Sequence, residues 1–217
     1  MKNIAKTNRN ITILDWDDTI LPITWCIRNN KKQKEAKFIR QLDKISEIIA
    51  KFLEKILNND KVYIITNSKS DWVQISAKKF LPQILPYLSK IKIISAASIY
   101  ESQFPDDPVQ WKYQALMSIL SPVLLDESVT KNIIAIGDSP IEREAFRNVV
   151  ANGKSIIYKN IKFLEDPSCK QLQNQLELMQ TCYDIIHKYD ANMDLQFKVG
   201  KRSCYFAKIN KKEYISP

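Results

Sequence analysis

Ile11-Thr12-Ile13-Leu14-Asp15-Trp16-Asp17-Asp18-Thr19 decides how the rest of this 217-residue chain is read. Four β-prone residues run into three carboxylates closed by a threonine. The apolar half suits a buried parallel strand. Nothing about strand stability asks for the acidic half, because Asp is depleted in strands and like charges packed together repel. Carboxylates in such a place need compensating positive charge or open solvent. The carboxyl end of a parallel strand is also where open α/β sheets place their ligands. The stretch therefore reads as a strand delivering carboxylates to a site, with a divalent cation expected among them.

Outward from it, strands and helices alternate. Phe38, Leu42, Ile45, Ile49, Phe52, Leu53 and Ile56 recur at helical spacing and predict one amphipathic helix over 33–58, after an irregular segment over 20–31. Val62–Ile65 predicts a second strand ending at Thr66, Asn67 and Ser68, and a helix follows over about 70–81. A third strand is expected at Ile91–Ile94, a loop over 101–110, and a helix from Trp111 to Leu120 that stops before Pro122. Asn132–Ile136 reads as a fourth strand, and Gly137-Asp138-Ser139-Pro140 leads into a helix with Pro140 in its first turn. Ser155–Tyr158 is the fifth expected strand. This alternation predicts an α/β fold, a three-layer Rossmann-like parallel sheet of about five strands with right-handed crossovers. Residues 1–167 form the expected core. Residues 168–217 add a helix capped by Ser168 and room for a β-hairpin packing on that core.

Composition sets wider bounds. A hydrophobic share of 45% supports a globular core, and only three glycines argue against a Gly-rich phosphate loop. The formal charge of +9 favours anionic partners: phosphorylated substrates, nucleic acid or an acidic membrane surface. Cys26, Cys169, Cys182 and Cys204 show no CxxC spacing, which argues against zinc and for a reduced, cytoplasmic setting. Neither a signal peptide nor a transmembrane stretch is legible. The ending Tyr214–Pro217, without an obvious stop, is what the front part of a longer protein would show. The single histidine, His187, is expected on a helix face without a catalytic role.

In a sheet ordered 3-2-1-4-5, polar residues at three strand ends converge: Asp15 and Asp17, Thr66, and Asp138 with Glu142. Lys112 heads the helix before the fourth strand. With these four groups in order over residues 10–165, the chain resembles the haloacid dehalogenase (HAD) superfamily. Asp15, Asp17 and Thr19 match its DxDxT, Thr66 its second motif, Lys112 its third, and Gly137-Asp138 with Glu142 its acidic fourth. Asp18 departs from the pattern, since many members carry Gly there, and Glu142 stands where Asp is commoner.

The resemblance implies a Mg²⁺-dependent phosphatase. Asp15 would attack phosphorus and form an aspartyl-phosphate, and Asp17 would act as general acid and base. Asp15, Asp17 and Asp138 would hold the metal, while Thr66 and Lys112 hold phosphoryl oxygens. Asn67, Ser139 and Glu142 would support these groups. The two inter-motif gaps leave no room for a cap domain, so an open site facing a macromolecule is expected. Trp16 and Trp72 stand where an aryl group would be packed. The chain also resembles a small group of HAD tyrosine phosphatases, including an effector that Legionella delivers into host cells. That resemblance implies a phosphorylated protein substrate and an acidic membrane contact through a missing C-terminal part. A phosphatase of nucleic-acid ends and a non-catalytic HAD-fold binding module remain as alternatives, and the oligomeric state is left open.

Overall fold

The computed structural model describes residues 9–151, 153–200, 204–208 and 214–215. Strand β1 (Arg9–Leu14) lies in the middle of one sheet with β2 (Lys61–Thr66), β3 (Lys92–Ser95), β4 (Lys131–Gly137), β5 (Ile156–Lys162), β6 (Met193–Val199), β7 (Cys204–Lys208) and β8 (Tyr214–Ile215). The spatial order is β3-β2-β1-β4-β5-β6-β7-β8. All pairings up to β6 are parallel, and β7 and β8 add antiparallel. This is a mostly parallel, Rossmann-like α/β sheet whose first five strands follow the expected order.

Strand alternation divides the core in two. Ile11 and Ile13 on β1, with Ile133 and Ala135 on β4, face α6 (Pro108–Leu124) and α7 (Pro140–Val150). Leu14, Ile134 and Ile136 face the other way, toward α2 (Ala36–Leu57) and α8 (Cys169–Lys188). A period of two in the strands thus meets a period of 3.6 in the helices.

Several expectations need correction. Among the described residues the sheet has eight strands, not about five, because β6, β7 and β8 extend it beyond β5. The expected hairpin exists as the antiparallel pair β6 and β7, and residues 201–203 between them lie outside the described residues. Residues 20–31 are not irregular: α1 (Ile23–Arg28) forms there, followed by a 3₁₀ turn over Asn30–Lys32. Between β2 and β4 run α3 (Trp72–Phe80), α4 (Leu85–Leu88) and α5 (Ala96–Tyr100), the last opened by the Ser95 hydroxyl accepting from the Ser98 amide. Pro122 sits inside α6, not beyond it. It has no N–H to donate to the Ser118 carbonyl, and α6 ends two residues later at Leu124.

His187 does lie on a helix, but buried contacts hold it. Its Nε2 is 2.8 Å from Oδ1 of Asp60, whose other oxygen accepts from the Thr12 and Tyr183 hydroxyls. The four cysteines are free thiols. Among the described residues no helix is long and apolar enough to cross a membrane.

Candidate functional site

Register brings the candidate residues together. Leu14 pairs with Ile64 on one side and Ile136 on the other, so the three strands end within two residues of one another. Asp15 is the first residue past β1, its amide donating to the Ile136 carbonyl at 2.9 Å. Thr66 closes β2, and Asp138 follows β4.

After Asp15 the chain folds back tightly: the amides of Ile20 and Leu21 both donate to the Trp16 carbonyl. Asp18 adopts φ 55° within this turn. Asp tolerates the left-handed region better than most non-glycine residues. Its carboxylate also caps α1, accepting from the Thr24 amide at 3.1 Å and from the Thr24 hydroxyl. That geometry accounts for an Asp where a Gly was the expectation.

Lys112 enters from α6. It is 2% exposed, and its ammonium donates to Asp15 Oδ1, to the Ile65 carbonyl at 2.7 Å, and lies 3.1 Å from Glu142 Oε1. Glu142 is fixed as part of a capping box: its Oε2 accepts from the Ser139 amide at 3.0 Å, and the Ser139 hydroxyl accepts from Ile141. Gly137 makes room for it, since a Cβ there would come within 2.8 Å of the Glu142 Cβ.

Two carboxylates therefore share one buried ammonium. Burial alone would lower the Lys112 pKa, but the charges of Asp15 and Glu142 outweigh it and hold the lysine charged. Burial pushes the Asp15 carboxyl well up, against the pull of Lys112 and with added repulsion from Glu142 and Asp138. For Glu142 burial acts upward too, but Lys112 and the Ser139 hydrogen bond prevail and bring it down. Asp138 is pushed up to about 7 by burial, with help from Glu142 and Asp18.

The expected Mg²⁺ site does not survive this geometry. Among the described residues no group of three His, Cys, Asp or Glu side chains comes together to hold a metal ion. The physical reason lies in where the three carboxylates are turned. Asp15 faces Lys112. Asp17 accepts from the Ser68 hydroxyl at 2.6 Å and from the Trp72 indole at 2.8 Å. Asp138 accepts from the Thr19 hydroxyl at 3.2 Å. Lys112 supplies the positive charge that the sequence reading assigned to a cation.

Trp16 is also placed otherwise than expected. It is completely buried, its indole donating to the Ser76 hydroxyl at 2.9 Å, so it has no face to offer a ligand. Trp72 is half-buried, and its polar edge is committed to Asp17. Thr66 is buried, with Oγ1 accepting from the Ser68 amide at 3.0 Å, which leaves its own proton free. It borders a cleft of about 260 Å³ lined also by Lys69, Ser70, Gln74 and Ser95. Asn67 donates to the Pro108 carbonyl at 3.1 Å and ties the end of β2 to the start of α6, while its buried Oδ1 has no partner among the described residues.

Sequence reading weighed Ser68 only as a stand-in for Thr66, not as a partner of Asp17, and it missed Lys162. Lys162 ends β5 and donates 2.8 Å bonds to the Asp138 carbonyl and to Glu165. The fifth strand was expected to stop at Tyr158, four residues short. Three of the four residues Lys159-Asn160-Ile161-Lys162 are polar, so no period of two announced its continuation.

No family model matches the chain, and no curated protein is detectably similar to it.

Proposed function

We propose that the chain is a phosphomonoester hydrolase of the HAD type, with Asp15 as nucleophile and protein phosphotyrosine as substrate. The observation behind this reading is the position of Asp15, one residue past the central strand with the Lys112 ammonium against it. Phosphate monoesters resist anionic nucleophiles, so catalysis consists mainly of placement and charge neutralisation. In the proposed reaction an Asp15 oxygen bonds to phosphorus while the bond to the leaving oxygen breaks, and Asp17 supplies that oxygen's proton. Asp17 then takes a proton from the water that attacks the aspartyl-phosphate, releasing inorganic phosphate and restoring Asp15. Ser68 and Trp72 orient the Asp17 carboxylate for both transfers. The free proton of Thr66 is available to a phosphoryl oxygen. The choice of tyrosine over other phosphomonoesters is carried by family resemblance, with Trp72 the remaining aromatic beside Asp17.

Asp15→Asn tests the reading. The amide keeps the shape but is a poor nucleophile, so hydrolysis of phosphotyrosine peptides should fall at least about a thousandfold, about 4 kcal/mol in barrier. Circular dichroism should report an unchanged fold. If wild type and variant hydrolyse phosphotyrosine, phosphoserine and oligonucleotide-end phosphates equally poorly, the cluster is a buried ion-pair network and the chain a binding module.

A further inference from the structure

The positive charge of this chain is concentrated. Residues 28–44 carry seven cations (Arg28, Lys31, Lys32, Lys34, Lys37, Arg40 and Lys44) against Glu35 and Asp43, a net +5 out of +9 for the whole chain. All seven are exposed. Arg28 pairs with Asp166 at 2.9 Å. Among the described residues no carboxylate lies within ion-pairing distance of the other six. Lys37, Arg40 and Lys44 follow one another at helical spacings of three and four along α2, an arrangement in which like charges repel. A helix face that serves only solubility intersperses both signs.

The same face is apolar in places. Ile27 is 64% exposed and Ile39 47%. Trp25 of α1 stacks on Phe38 of α2 with ring centroids 4.7 Å apart, which fixes the two helices to each other. Beside them lies a groove of about 220 Å³ bordered by Phe38, Ile39, Leu42, Phe80 and Pro82, with Lys79 at its rim. One carboxylate, Asp43, also borders it and accepts from Gln83 at 3.4 Å.

We propose that this face docks an acidic protein segment, one apolar side chain of which seats in the groove while its carboxylates lie over the unpaired lysines. Single-stranded nucleic acid fits less well, because it gains affinity by stacking on exposed aromatics. Here Phe38 and Phe80 are buried, and the exposed apolar residues are isoleucines. A bilayer satisfies the lysines but offers no side chain to fill a concavity. The proposal concerns binding and does not rest on the hydrolase reading. Should that reading hold, the docked segment lies one short helix from the Asp15 turn, through the Thr24–Asp18 bonds.

The test uses the whole chain and a labelled peptide of Glu and Asp residues around a central Leu. The same peptide with central Gly, phosphatidylserine-containing vesicles and a single-stranded oligonucleotide are compared with it. Fluorescence anisotropy should show the Leu peptide binding about tenfold more tightly than the Gly peptide, the worth of one buried side chain. Lys34→Glu/Lys37→Glu should weaken the Leu peptide at least about tenfold, with the remaining affinity less sensitive to salt. Both residues are exposed, so the variant should melt at the wild-type temperature and keep wild-type turnover of a small aryl phosphate. Ile39→Asp should erase the preference for Leu over Gly. Equal binding of the two peptides, an unchanged affinity after charge reversal, or tighter binding of vesicles or oligonucleotide would each overturn the proposal.

Discussion

Asp15, Lys112 and Glu142 form one electrostatic unit, and its behaviour with pH follows from who shares the lysine. Burial raises the Asp15 carboxyl above its ordinary value of 3.8, and the Glu142 charge adds to that rise. In the proposed reaction Asp15 must be ionised to attack, so activity should be lost on the acid side at a higher pH than a free aspartate would give. Replacing Glu142 by Gln removes a negative neighbour and leaves Lys112 to Asp15 alone, and both changes lower the Asp15 pKa. The acid limb of kcat/KM should therefore move to lower pH in Glu142→Gln, as a pH–rate profile would show; a limb that stays or rises means Asp15 is not the titrating group. Asp18 carries a separate prediction. Its φ of 55° costs a β-branched residue dearly, and its carboxylate caps α1. Asp18→Gly should lie close to wild type in stability, the lost cap offset by relief of the backbone. Asp18→Val should cost at least about 2 kcal/mol in chemical denaturation. The sequence alone marked Asp15, Asp17, Thr66, Asp138 and Glu142, because a place at a strand end is a local property, and Lys112 was marked by resemblance to the family motifs. It could not show that Asp17 turns toward Ser68 and Trp72, or that Trp16 faces the core. Those directions are set by Ser68 and by Trp72 and Ser76 of α3, 51 to 60 residues along the chain.

Strands and long helices were legible because their periodicity is strong. Ser168 and Gln171 announce α8, and Pro140 announces α7. The short helices α1 and α5 were not legible, since one or two turns hold only by tertiary contacts such as Asp18 to Thr24. Strand β5 was cut short because Lys159 and Lys162 read as surface residues, yet both are buried. Lys159 finds the Asn132 side chain and, at 3.4 Å, the His187 carbonyl. Burial lowers its pKa from 10.5 to about 8, only partly opposed by Asp190 and Asp60. Below pH 8 both folded and unfolded chains hold the proton, and the folded state bears the full cost of burying the charge. Between pH 8 and 10.5 only the unfolded chain still holds it, so rising pH favours folding. Wild type should therefore gain stability relative to Lys159→Met as pH rises from 7 to about 10, a difference readable from denaturation midpoints. A constant difference across that range would mean that water reaches the ammonium in the folded state.

The expected division into a core of residues 1–167 and a C-terminal helix with a hairpin packing on it bears on folding, and truncation after residue 167 would test it. Helix α8 covers α2 and one face of the sheet, burying Leu172, Leu176, Met179, Tyr183 and Ile186 in the same cluster as Phe52 and Ile56. Strand β6 pairs in parallel with β5, which without it would present an unpaired edge. Polar contacts stitch the two parts at separate places. Asp194 of β6 is bound by Arg143 and Arg147 of α7, and Asp60, whose side chain is fully buried, depends on Tyr183 and His187 of α8. A chain ending at residue 167 would leave Asp60 buried or newly solvated without those donors, and would open an apolar helix face and a strand edge together. Each loss is costly, and their sum exceeds the margin of about 5–15 kcal/mol by which domains of this size are stable. The truncated chain should therefore be aggregated or should bind a hydrophobic dye with weak near-ultraviolet dichroism, despite holding every candidate catalytic residue. Co-expression with residues 168–217 as a separate piece should restore some soluble protein, because the missing surface is supplied. Were residues 1–167 to melt cooperatively near the full-length temperature, the chain would have two separable parts, and α8 would be a covering and not a layer of the fold.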